Sequence, residues 1–179
     1  EKIYRSDSLI RSYPWIEEAL EHLNHANMQG RFPQSIIISG PENIGLGFLH
    51  KTLAWSIICG DGKLHPCGSC NNCSLTKSSS HPDLRFLGGE ATDLQVNIDN
   101  IRASIGFLST KPMVSDHKVL SINLNYGYSY GSISAILKIL EEPPERSHII
   151  IRIDNLSKLP GTILSRCQNI KITQPTCEI

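Results

Sequence analysis

Four cysteines, Cys59, Cys67, Cys70 and Cys73, follow the pattern C-x7-C-x2-C-x2-C, in a stretch where Gly60, Gly62, Pro66 and Gly68 supply turns. Thiolates two residues apart can converge on one tetrahedral ion at about 2.3 Å from each sulfur, and four of them leave no position open for water. The spacing predicts a small structural zinc module over residues 59–75. The residues alone leave open four unmetallated thiols in a reducing loop, or His65 or His81 in place of one cysteine. A zinc-ribbon nucleic-acid module is a further alternative, against which stands the single Lys63 of the segment.

The second chemical feature is Ser35 to Gly47, SIIISGPENIGLG. A short β-branched run ends in a Gly-Pro turn and helical spacing follows, which is the strand, loop and helix setting of the phosphate-binding pattern G-x-x-x-x-G-K-[ST]. Gly40 and Gly45 hold the glycine positions, but Leu46 stands where the lysine belongs and Gly47 where the magnesium-holding hydroxyl belongs. At the end of the buried run KVLSI, where a hydrolysing domain places an acid to hold magnesium, the chain has Asn123. No useful triphosphate hydrolysis and no bound ATP are expected, although a phosphate could still meet the helix N-terminus. The alternatives are a plain strand-to-helix turn and a divergent ATPase that holds phosphates by backbone alone.

Strands and helices must alternate to position these groups. Ile16, Leu20 and Leu23 mark an entry helix from Pro14 to about Met28, closed by Gly30. Leu49, Leu53 and Ile57 mark a helix from about Phe48 to Ile58, with Trp55 as core or helix-packing surface. Further helices are read from Ile98 to Leu108, capped by Asn97 or Asp99, and from Ile133 to Leu140, stopped by Pro143 and Pro144. Strands are read at Asp83 to Leu87, Lys118 to Ile122, Ile149 to Ile153 (its polarity broken by Arg152) and up to Ile172, with helical turns near Leu156 and Thr162. Five strands among helices predict an α/β fold, a parallel sheet covered on both faces.

The 179 residues suffice for one sizeable core; 40% are apolar and 19% charged, and Lys plus Arg equal Asp plus Glu at 17 each. No basic run points to independent nucleic-acid binding, and no apolar run approaches the roughly 20 residues of a membrane span. A cytoplasmic chain is expected, in which six cysteines are metal ligands or structural thiols. Cys167 reads as a buried thiol and Cys177 is unassigned.

With SGPENIG, the cysteine insert, HPDL at His81 to Leu84, NIDNIR at Asn97 to Arg102, LKILEEPP at Leu137 to Pro144 and TILSRCQ at Thr162 to Gln168, the chain resembles the N-terminal AAA+ domain of bacterial DNA polymerase III clamp-loader delta-prime subunits. The resemblance covers most of the chain and implies a RecA-like five-stranded sheet with a zinc insert. It implies a non-catalytic subunit that supports ATP-driven loading of the sliding clamp on primed DNA, beside the gamma/tau and delta subunits. It makes Arg166, the arginine of the SRC motif, an arginine finger for a neighbour's ATP, and the four cysteines zinc ligands. Leu46, Gly47, Asn123 and the region of Ile153 and Asp154 depart from the motor pattern, which counts against ATPase activity of this chain. The family's lid and collar domains are expected to be absent from these 179 residues, so the isolated domain should be monomeric or only weakly associating.

Overall fold

The computed structural model describes residues 14–29, 31–62, 64–89 and 95–173. The chain runs α1 (Pro14–Met28), β1 (Ser35–Ser39), α2 (Leu46–Cys59), α3 (Asn71–Lys77), β2 (Leu84–Leu87) and α4 (Ile98–Ser109). It continues with β3 (Lys118–Asn123), α5 (Tyr130–Glu141), β4 (Ser147–Ile153), a 3-10 turn (Leu156–Lys158), α6 (Gly161–Leu164) and β5 (Gln168–Lys171). All five strands among the described residues pair in parallel, in the order β2-β3-β4-β1-β5.

Every residue of β1 and β3 is buried, and so is β4 apart from Arg152, which is the burial that a strand covered on both faces requires. The period of two along a strand sorts these residues between two cores. Ile37, Ile149, Ile151 and Ile153 face a core shared with α4 and α5, built on Ile101, Leu108, Ile133 and Ile136. Ile36, Ile38 and Ile150 face the other core, with Leu20 and Leu23 of α1 and Leu49 and Leu53 of α2. The chain leaves β1 towards the second core through α2 and leaves β4 towards the first through Leu159 and Ile163. The carboxyl ends of β1 and β4 therefore border a crevice, the place where open parallel sheets bind ligands.

The alternation matches the expectation from sequence, and the differences are one added helix and shifts at element ends, among them a β4 that begins at Ser147 rather than Ile149. Helix α2 begins at Leu46 rather than Phe48, because Gly45 takes a left-handed turn (φ 86°) and the helix starts at once. The four-cysteine segment contains a helix, α3, that the spacing did not announce; its start is fixed by Cys70, whose sulfur accepts from the Cys73 N–H. β5 ends at Lys171, although the Ile172 N–H still donates to the Ser39 carbonyl at 2.7 Å. Asn97, not Asp99, caps α4, accepting from the Asn100 N–H at 2.8 Å. Gly30 and Cys177 lie outside the described residues.

The HPDL stretch has a structural task. Asp83 is fully buried at the start of β2 and accepts from the backbone N–H groups of Met113, Val114 and Ser115 at 2.7 to 2.9 Å. Burial raises the Asp83 pKa, but the donors of Ser115, Val114 and Met113 together outweigh it and hold the carboxyl below its usual range. A group lowered in this way contributes stability that is complete above the unfolded carboxylate pKa of about 4 and is lost as pH falls through the folded value. Asp83→Ala is expected to lower the unfolding free energy by about 2 to 3 kcal/mol at neutral pH. Denaturant titrations should show the gap to wild type narrowing as pH falls below about 4; a pH-independent gap would exclude this origin.

Candidate functional site

The glycine loop, 40–45, lies between the end of β1 and α2, at the crevice described above. A Cβ at Gly40 would collide with the Ile172 carbonyl oxygen, so the close approach of β5's end requires glycine there. The loop is held from the other side by Trp15 of α1, whose Nε1 donates to the Ile44 carbonyl at 2.9 Å. Helix α2 has no side-chain N-cap, and its first carbonyl bond runs from the Leu49 N–H to Gly45 at 3.0 Å. The order of strand, glycine loop and uncapped helix start is that of the phosphate-binding pattern.

The side chains do not complete it. Leu46, at the lysine position, is 1% exposed and packs in the core shared by α1 and α2 instead of facing the crevice. Gly47, at the hydroxyl position, lies under Arg152 of β4: a Cβ there would sit 2.9 Å from the guanidinium Nη1 and 3.5 Å from Cζ. Asn123 is buried at the end of β3 and its Oδ1 accepts from the Asn125 N–H at 3.2 Å. Asp154, just past β4, is ion-paired to Lys158 at 2.9 Å, and that contact lowers its pKa.

Arg152 is the member of this group that sequence reasoning missed, having registered only as a polar interruption of β4. The signal was available in the period of two: Arg152 shares parity with Ile150, whose face carries α2. Its charge reaches one turn into that helix. Burial pushes His50 down to about 3, with the Arg152 charge adding to the fall, and the neutral ring pairs with the Ser121 hydroxyl at 2.9 Å.

At the far end of α2 the four cysteines do come together. Cys59 is the last residue of α2, Gly60 turns the chain in the left-handed region, Cys67 lies in the following loop, Cys70 caps α3 and Cys73 is inside it. Their sulfurs all lie within 4.8 Å of one another, with Cys59–Cys70 at 3.8 Å and Cys67–Cys73 at 3.9 Å. A tetrahedron with bonds of about 2.3 Å has edges of about 3.8 Å, so the set could hold one metal ion. The N–H groups of Cys67, Cys70 and Cys73 point at the sulfurs of Cys59, Cys67 and Cys70 at 3.4 Å. N–H bonds from Ser69 and Cys70 lower the Cys67 thiol to about 6, whereas burial pushes Cys73 up to about 12. Leu64, 3% exposed, and an Asn72 amide that donates to the Ile58 carbonyl at 2.9 Å tie the segment to α2. His81 is engaged elsewhere, with Asn72 Oδ1 at 3.3 Å and the Asp83 N–H at 3.1 Å, and belongs to no metal-ligand group among the described residues. Cys167, partly buried, is an ordinary thiol raised to about 11 by burial.

Arg166 lies away from the glycine loop. Its guanidinium donates to the Thr162 carbonyl at 2.9 Å and pairs with Glu141, the last residue of α5, at 3.0 Å. Gln168, two residues on, is level with Ile36, so Arg166 is at the amino ends of the strands and the glycine loop at their carboxyl ends. It therefore cannot reach the loop of its own chain.

No helix among the described residues is long and apolar enough to cross a membrane. The family model described as DNA polymerase III, delta subunit matches residues 15–176. DNA polymerase III subunit delta' of Haemophilus influenzae is 26% identical over 167 residues, 93% of this chain and 51% of that protein. The Escherichia coli delta' subunit is also 26% identical, over 89% of this chain and 48% of its own length. Subunit tau of Bacillus subtilis is 29% identical over 90% of this chain and 28% of its own. The chain thus spans about half the length of the delta' relatives. Among solved structures, a gamma subunit-related protein of Thermotoga maritima superposes with a TM-score of 0.58 at 19% identity, over 88% of this chain and 47% of that one. The RuvB branch migration motor of the same organism gives 0.52 at 12% identity, over 89% and 44%. The β2-β3-β4-β1-β5 sheet is that of an AAA+ fold, and the chain belongs to the family of DNA polymerase III delta' subunits.

Proposed function

We propose that this chain is a clamp-loader component in DNA replication that turns over no ATP itself and completes the site of an adjoining motor subunit through Arg166. The observation that carries this reading is the separation of the two halves of a nucleotide site. The chain's own loop has a core leucine for its cation and a guanidinium over its hydroxyl position, while a surface arginine stands at the opposite end of the sheet. An arginine suits transfer across an interface because its fork is always charged and can meet a γ-phosphate. The adjoining subunits are of the gamma/tau and delta kinds, and the sliding clamp and primed DNA are met through the assembled loader.

Arg166→Ala is expected to leave the melting curve almost unchanged, since an ion pair this exposed contributes about 0 to 1 kcal/mol. DNA-stimulated ATPase of a reconstituted loader should fall by about 10³-fold at the site it faces. A loader that keeps its wild-type turnover would remove Arg166 from this role.

The ion held by Cys59, Cys67, Cys70 and Cys73 is zinc, in a structural site: four thiolates close the tetrahedron and favour a soft ion. Purified protein is expected to contain one zinc per chain by elemental analysis. Cys73→Ser should lose it and unfold the segment around α3 while the sheet's circular dichroism persists. Because the ligands must be thiolates, zinc retention should weaken as pH falls; metal-free protein with an ordered 59–77 segment would argue against the assignment.

A further inference from the structure

We infer that Arg152 closes the glycine loop to magnesium-bound nucleotides, its guanidinium holding the place that a residue-47 hydroxyl and its cation would need. This rests on reading residues 40–47 as a nucleotide loop that has lost its chemistry, and it names the group that keeps the loop closed.

Three observations carry it. The first is volume. A Cβ at residue 47 would lie 2.9 Å from Nη1, so a hydroxyl-bearing residue there requires the guanidinium, the free end of a flexible side chain, to move aside. The second is the partnerless state of that arginine. Among the described residues its guanidinium has no ion pair or hydrogen bond, and its Nε is buried without an acceptor. Gly47 of α2 and the neutral His50 lie against it, and neither cancels its charge. The third is placement. Parity with Ile150 puts the side chain on the α2 face, and pairing with Ile38 puts it one residue from the end of β1, where the loop begins.

The consequence is electrostatic as well as steric. Arginine cannot shed its proton at any physiological pH, so moving it aside for a larger residue 47 still leaves a fixed positive charge beside the place a divalent cation would take. Like charges forced together suppress binding of the wrong partner. Gly47 and Arg152 are then one feature in two residues: the glycine makes room and the arginine fills it.

The test is a fluorescent-ATP titration of the 179-residue chain, with magnesium and with EDTA, on wild type, Gly47→Ser, Arg152→Ala and the double variant, each checked by thermal melting. Wild type and Gly47→Ser should show no magnesium-dependent binding, and the double variant should gain affinity by about tenfold or more over Gly47→Ser. Arg152→Met, which keeps the stem and removes the charge, replaces alanine if that variant melts early. If Gly47→Ser alone gains as much as the double, the arginine yields freely and the inference fails. It fails equally if the double gains nothing, since the missing lysine would then suffice to close the loop. Magnesium-dependent binding by wild type would instead overturn the nucleotide-silent reading itself.

Discussion

The parallel pairing of β1 with β4 is the contact on which the other features depend. Ile36 to Ile38 lie beside Ile150 to Arg152, buried on both faces, and each strand sends its next segment to a different side of the sheet. A strand buried on both faces cannot slip by one residue without exchanging the side chains of its two cores. The register therefore holds, and with it the position of Arg152 against Ile38 and of the loop at the end of β1. The crevice is a consequence of that register.

Helix α2 joins the two chemical features. The glycine loop leads into its first turn and its last residue is Cys59, so one buried helix positions the loop at one end and begins the four-cysteine segment at the other. Leu49, Leu53 and Ile58 are fully buried along it, which leaves little freedom for either end to shift. The burial of Leu46 follows from the same packing. At the first turn of a helix pressed this closely on the sheet, an aliphatic side chain gains more from the core than from solvent, roughly 1.5 to 3 kcal/mol for full burial.

Two arginines divide the charge logic of the domain. Arg166 is solvent-exposed, paired with Glu141 and anchored to a carbonyl, an arrangement that keeps it ordered at little energetic consequence and leaves it free to exchange partners. Arg152 is partly buried, its Nε has no hydrogen-bond partner among the described residues, and its guanidinium lies over Gly47 in the first turn of α2.

Much of this was legible in the residue order. The alternation of helices and strands, α1 to its final residue, the missing lysine, hydroxyl and acid, and the cysteine spacing are local patterns, set by hydrophobic period, turn chemistry and side-chain type. What the order of residues left open was whatever depends on distant segments meeting. Helix α3 starts where the Cys70 sulfur caps it by accepting from the Cys73 N–H, a contact that the pattern of NNCSLTK does not announce. Asp83 serves as an anchor only once residues 113–115 fold over it, thirty positions away. Arg152 reads as a blemish in a strand until β1 and β4 pair and bring it over Gly47, 105 residues earlier in the chain. Sequence determined which residue types stand at positions 46, 47 and 123; the tertiary fold decided that the Arg152 guanidinium lies over Gly47, because only packing brings these two distant segments together.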